Sequence, residues 1–283
     1  MSTDLYAVAG NPVAHSQSPF IHASFAAQCG QDLVYERLLC PLDGFKTSIE
    51  AFVARGGRGC NVTVPFKFEA FALATRHSTR AELAGAVNTL RFDANGWWGD
   101  NTDGLGLVHD IEHNAARPLA GRDILLLGAG GASAGVLGSL IHARPARIVL
   151  ANRTADKALA LQASHADWAA QHQVALQVCE LSDVEANAVL GFDVLVNGTS
   201  ASLSGAGVPV QGQVLKPGAL ALDMMYGAAA LPFLDWARAQ GALPRDGLGM
   251  LVEQAAEAFH IWRGVRPETA PVLSALRERL AQT

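Results

Sequence analysis

The stretch NVTVPFK, residues 61–67, carries an amide, a hydroxyl and an amine within seven positions, on Asn61, Thr63 and Lys67. Side chains alternate across a strand, so the pattern predicts Val62, Val64 and Phe66 in a core and the polar groups in a row on the opposite face. Three further stretches are as rich in polar groups: GNPVAHSQSP (10–19), GAVNTL (85–90) and GDNTDG (99–104). Singly, each reads as a capped turn, with Ser18 before Pro19 as a helix cap and Asn101 or Asp103 as turn residues. Jointly they supply the small hydroxyl, amide and carboxylate groups that suit a polyol ligand.

A second chemistry sits in GAGGAS, residues 128–133. Gly128, Gly130 and Gly131 lie between an apolar run of strand length and a helical stretch, the setting in which a glycine turn brings backbone against a pyrophosphate. The helix start beyond it offers N–H groups and the positive end of a dipole. At the close of the next strand, where such folds use a carboxylate for a ribose hydroxyl, this chain has Asn152, Arg153 and Thr154, followed by Lys157. A guanidinium pairs with a 2'-phosphate and a carboxylate would repel it, which predicts NADP over NAD. The alternative is that Arg153 and Lys157 are solvated charges at a helix start.

These groups need a framework to hold them. The 283 residues, 50% hydrophobic and 17% charged, suit a well-buried globular protein of one large domain or two ordinary ones. A net charge of -5, with both signs mixed along the chain, gives no basic stripe for nucleic acid and no cationic face for a membrane. Cys29, Cys40, Cys60 and Cys179 are scattered without metal-site spacing and read as free thiols. With Asp4 where a leader would want positive charge, a cytoplasmic protein with no metal is expected.

Early on, LYAVAG and LVYERLLC read as strands around the helical SPFIHASFAAQC, which Gly30 ends. From residue 121, RDILLL, a helix, ARIVLAN, another helix, FDVLVN and GALALD follow the order of a doubly wound sheet. The last stretch predicts two helices interrupted near Gly264 and Pro267. His15 and His22 lack partners at ligand spacing and read as helix-entry and surface residues; Met224 and Met225 read as core or as lining for a nicotinamide.

Taken in order, GNPVAHSQSPFIH, NVTVPFK, GAVNTL, GDNTDG, GAGGAS, NRT and DGLGMLVEQA span nearly the whole chain, and the series closely resembles the shikimate dehydrogenase family. The resemblance implies reversible, NADPH-dependent reduction of 3-dehydroshikimate to shikimate in aromatic amino acid biosynthesis. It implies two α/β domains with a cleft between them: a substrate domain (1–101, completed by helices in 244–283) and a Rossmann-type parallel sheet (102–243). Ser16 and Ser18 would hold the substrate carboxylate, with Tyr226 near that side. Asn61, Thr63, Lys67, Asn88, Asp103 and Gln254 would line the ring hydroxyls. Gly128, Ala129, Gly130, Gly131, Ala132, Asn152, Arg153, Thr154 and Lys157 would hold NADP, with Met224 and Gly247 at its nicotinamide end. Ala134 departs from the pattern, since relatives often carry arginine there. A homodimer is one expected assembly.

Oxidising a secondary alcohol removes a proton from oxygen while a hydride leaves the same carbon, so a base must stand within hydrogen-bond reach. Lys67 and Asp103 are the expected pair. Burial favours a neutral amine and a nearby carboxylate favours a charged one, so the two are expected to titrate together. The rival readings are a quinate/shikimate dehydrogenase that accepts NAD, and a non-catalytic NADP sensor on the same fold.

Overall fold

The computed structural model describes residues 3–188, 190–199, 208, 210 and 213–282. The chain forms two compact units, Met1–Gly106 with Leu251–Thr283 and Leu107–Met250. The sequence suggested divisions near 101 and 243. The two units meet along the chain between Gly106 and Leu107, within the helix Asp103–His109, and between Met250 and Leu251, within the helix Leu248–Arg263.

The first unit runs β1 (Asp4–Gly10), α1 (Ser18–Cys29), β2 (Leu33–Leu39), α2 (Phe45–Ala54), β3 (Gly57–Val62), α3 (Lys67–Leu73), β4 (Arg76–His77), α4 (Thr79–Ala84), β5 (Thr89–Asp93), β6 (Gly96–Asp100) and the start of α5 (Asp103–His109). Its sheet is mixed, in the order β2-β1-β3-β5-β6-β4. β1 is parallel to β2 and β3, while β5 runs antiparallel to β3 and β6. The carboxyl ends of β1, β3 and β6 and the amino end of β5 therefore share one edge. That edge carries all four polar stretches.

One face of this sheet packs Ala7, Ala9, Cys60, Val62, Leu90 and Phe92 against Phe45, Ile49, Phe52 and Phe66. The other face carries Tyr6, Tyr35 and Asn61, over which His22, Phe25, Phe259 and Trp262 form an aromatic layer. His22 is fully buried in that layer, not at the surface as its sequence context suggested. α1 lays it against the sheet, and its neighbours there are rings.

The second unit continues from α5 through β7 (Asp123–Leu127), α6 (Gly131–His142), β8 (Arg147–Asn152), α7 (Ala155–Gln171), β9 (Ala175–Glu180), α8 (Val184–Asn187), β10 (Phe192–Asn197), β11 (Leu215–Asp223), α9 (Leu231–Ala239) and β12 (Leu243–Arg245). The chain then enters α10 (Leu248–Arg263) and ends in α11 (Thr269–Ala281). The sheet order β12-β11-β10-β7-β8-β9 is wholly parallel and reverses direction at β7, as in a dinucleotide-binding fold. Alternate residues of β7 feed two separate cores: Ile124 and Leu126 one, Leu125 and Leu127 the other. Burial on both faces is why RDILLL reads as continuously apolar. No helix among the described residues is long and apolar enough to cross a membrane.

Candidate active site

NVTVPFK is not one strand. β3 ends at Val62, the next residues turn, and Lys67 opens α3. Thr63 N–H still donates to Ala9 O of β1 at 2.9 Å, but Pro65 has no N–H for a ladder, and Phe66 N–H closes the turn on Thr63 O at 3.1 Å. Val62 and Phe66 are buried as expected, whereas Val64 is 61% exposed because the turn swings it out. Val87 N–H donates to Lys67 O at 2.9 Å and fastens the start of α3 to the GAVNTL segment. Gly10 faces Thr63 so closely that a Cβ there would strike the Thr63 methyl.

Lys67 Nζ lies 2.5 Å from Asp103 Oδ2, with both side chains largely but not wholly buried. The other carboxylate oxygen accepts from Asn88 Nδ2 at 2.8 Å. Asn88 Nδ2 also reaches Thr102 Oγ1 at 3.0 Å and Gln254 Oε1 at 3.3 Å, and its Oδ1 accepts from Thr102 N–H at 2.9 Å. Thr89 Oγ1 links Asn88 to Asn61, donating to Asn88 Oδ1 at 2.9 Å and accepting from Asn61 Nδ2 at 3.1 Å. Residues drawn from GAVNTL, GDNTDG, β3 and α10 thus form a single hydrogen-bonded array.

The serine loop is built separately. Ser16 Oγ donates to Ser18 Oγ at 3.2 Å, and Ser18 is the first residue of α1, not its cap; Gln17 takes that place. Arg37 holds the Ser16 carbonyl with Nη2 at 2.6 Å and Nε at 3.2 Å. Thr63 is half-buried beside Lys67 in the turn.

Sequence reasoning missed Tyr35, Arg37, Thr89 and Thr102. The first two were hidden inside LVYERLLC, where a strand pattern says nothing of what lies opposite. The two threonines stood next to singled-out asparagines, and that adjacency was the available signal.

In the second unit, the turn after β7 holds Gly128 at φ 95, open to glycine and strained for other residues. A Cβ on Gly130 would meet nothing within 4 Å among the described residues, so the turn leaves room beside its backbone. Ser133 Oγ in the first turn of α6 is buried, with no hydrogen-bond partner among the described residues. A turn with open space beside it and a helix start fit a pyrophosphate. Arg153, Thr154 and Lys157 are exposed after β8, the strand next to β7, and Asn152 Nδ2 braces their loop by donating to Thr154 O at 2.9 Å. These residues fit the 2'-phosphate of NADP. Gly247 N–H donates to Met225 O at 2.9 Å, and a Cβ on Gly247 would strike the Met224 carbonyl, so Met224 and Gly247, the two expected nicotinamide-end residues, are neighbours. Met224 is half-buried and packs on the core. Burial of Tyr226, which precedes a short 3-10 turn, pushes its phenol above the ordinary value.

Comparison with known proteins agrees with this architecture. Residues 8–90 match the shikimate dehydrogenase substrate binding domain, 110–204 match shikimate / quinate 5-dehydrogenase, and 247–277 match the shikimate 5'-dehydrogenase C-terminal domain. A shikimate dehydrogenase (NADP(+)) of Acidovorax sp. (strain JS42) is 59% identical, over 99% of this chain and 98% of the relative. Among solved structures, an Ael1 enzyme from Pseudomonas putida superposes with a TM-score of 0.89 at 46% identity, covering 96% of this chain and 98% of its own. A Thermus thermophilus shikimate 5-dehydrogenase, in complex with shikimate, gives 0.83 at 32% identity, covering 98% and 99%. With its motifs on the expected edges of two α/β units and this identity along almost its full length, the chain belongs to the shikimate dehydrogenase family.

Proposed function

We propose that this chain catalyses the reversible, NADPH-dependent reduction of 3-dehydroshikimate to shikimate, with Lys67 and Asp103 handling the proton. The observation that carries the reading is the 2.5 Å approach of Lys67 Nζ to an Asp103 carboxylate whose other oxygen is held by Asn88. NADP, when bound, takes a hydride from the alcohol carbon or returns it. In the reducing direction the Lys67 ammonium donates a proton to the ketone oxygen, and Asp103 stabilises the charge on Lys67 before transfer. In the oxidising direction the pair receives the hydroxyl proton.

Ser16 and Ser18 are assigned to the substrate carboxylate, and Thr63 and Gln254 to ring hydroxyls. Asn61 and Asn88 sit beside them with their N–H groups already committed to protein acceptors, so their part is chiefly to hold the array. Gly128 to Ala132 with Asn152, Arg153, Thr154 and Lys157 are assigned to NADP. Four free thiols, three of them buried, suit a reducing cytoplasm.

The test mixes the protein with shikimate and NADP and follows nicotinamide absorbance. The expected result is a rise with shikimate, little with quinate, and a much smaller rise when NAD replaces NADP. A flat trace with shikimate overturns the reading; a flat trace with both polyols despite NADP binding favours a sensor.

A further inference from the structure

β2 is an edge strand, and two of its side chains reach the substrate loops. Tyr35 and Arg37 are two residues apart and so leave the strand on the same side. Arg37 grips the Ser16 carbonyl, and the Tyr35 hydroxyl donates to Asn61 Oδ1 at 2.7 Å. Tyr35 also faces Ser18, whose hydroxyl interacts with the phenol. The phenol oxygen therefore stands between the serine pair and the Asn61–Thr89–Asn88–Asp103 array.

The ring of Tyr35 lies flat on His22, with centroids 4.2 Å apart and planes 5° apart. His22 is fully buried, its ring nitrogens have no hydrogen-bond partner of good geometry among the described residues, and it meets Tyr35 through its ring face. Burial also pushes the Tyr35 phenol well above its ordinary value, which keeps it an O–H donor. Asn61 is bound on both edges: its Nδ2 donates to Asn88 O at 3.3 Å and to Thr89 Oγ1 at 3.1 Å, while its oxygen takes the Tyr35 proton. An amide has nearly the same shape either way round, and only its partners decide which edge donates. The Tyr35 hydroxyl therefore fixes which way round the Asn61 amide stands in the array.

We infer that Tyr35 is a substrate-positioning residue: seated on His22, its hydroxyl pins the Asn61 amide oxygen and ties the serine loop to the array that holds Asp103. The inference rests on the reading that this unit binds shikimate. Loss of the hydroxyl leaves a buried amide oxygen without its donor and unties the serine loop from the array, which weakens binding of a ligand held by both. The Lys67–Asp103 pair is untouched, so the chemical step is not altered.

Tyr35→Phe keeps the ring stack and removes only the O–H. The expected result is a KM for shikimate raised about tenfold, with kcat within about twofold and the KM for NADP and the pH profile of kcat unchanged. In an Asn61→Ala background, the same substitution should change the shikimate KM by no more than about twofold, because the hydroxyl acts through that amide. An unchanged KM in the first experiment, a fall in kcat at constant KM, or losses that multiply in the double variant would overturn the inference. An inactive parent enzyme would defeat the functional reading instead, so the two failures are separable. Circular dichroism and thermal melting of each variant establish that the kinetics are those of folded protein.

Discussion

Asn88 Nδ2 donates to Asp103 Oδ1 at 2.8 Å, while Lys67 Nζ approaches Asp103 Oδ2 at 2.5 Å. Both oxygens of one carboxylate are thereby committed, one to a neutral donor that fixes its direction and one to the amine to which the proposed mechanism assigns the proton. Asp103→Asn disturbs this in a defined way. Asn88 still requires an acceptor, so the new amide must turn its NH2 towards Lys67 and set donor against donor. A fall in kcat of about a hundredfold or more is expected, in folded protein.

Lys67→Ala removes the group proposed to donate the proton. Turnover should fall by about a hundredfold or more while shikimate KM changes little, since the residues proposed to hold the carboxylate and the other ring hydroxyls are left in place. Steady-state kinetics at saturating NADP decide it; an unchanged kcat removes Lys67 from the mechanism.

Arg153→Ala tests cofactor choice. A charge-assisted contact contributes roughly 1.5–3 kcal/mol, so the KM for NADPH should rise about 10- to 100-fold while that for NADH stays put. The converse variant, Ala134→Arg, adds a cation in the first turn of α6 and should tighten NADPH binding without altering kcat. Fluorescence titration of NADPH reads both.

Asp100 is fully buried at the end of β6, immediately before the loop that carries Asp103. Arg80 donates to it through Nε at 3.1 Å and through Nη2, and the same Nη2 reaches Glu257 Oε1 on α10 at 3.2 Å. Arg80→Met leaves Asp100 as an uncompensated buried charge and should lower stability by about 3–5 kcal/mol in urea denaturation. Arg76→Met breaks an exposed pair with Asp93 and should leave the midpoint where it was.

His22 gives a pH signature. Burial, opposed only in part by the nearby Asn61 amide, holds its pKa down to about 3 from an ordinary 6.5. Between those values the unfolded chain binds a proton that the folded chain refuses. Stability therefore falls as pH drops through that window, by about 1.4 kcal/mol per pH unit from this group, and is unaffected by it above the ordinary value. His22→Phe keeps a ring against Tyr35 and should flatten the acid limb of the stability curve; an unchanged limb would show that His22 does not dominate it.

Local pattern was enough for the parts of this protein whose structure is decided by neighbours in sequence. The glycine turn between RDILLL and α6, the parallel strands that follow and the two closing helices are set by turn chemistry and hydrophobic period, both of which act within a few residues. Residue type likewise named Lys67, Asp103, Asn88 and Gln254 through the family resemblance. What the chain could not disclose by itself was partnership. NVTVPFK turned after Val62, where Phe66 N–H donates to Thr63 O at 3.1 Å, and the turn is tied to a segment more than fifty positions away by Asn11 N–H donating to Val64 O at 3.0 Å. His22 went inside because rings on β2 and α10 cover it. Tyr35 and Arg37 acquired roles because β1 seats β2 beside the serine loop. Hydrogen bonds and ring contacts act over a few ångströms of space regardless of separation along the chain. Composition and spacing therefore fix which groups are available, and only the folded sheet edge decides which of them meet.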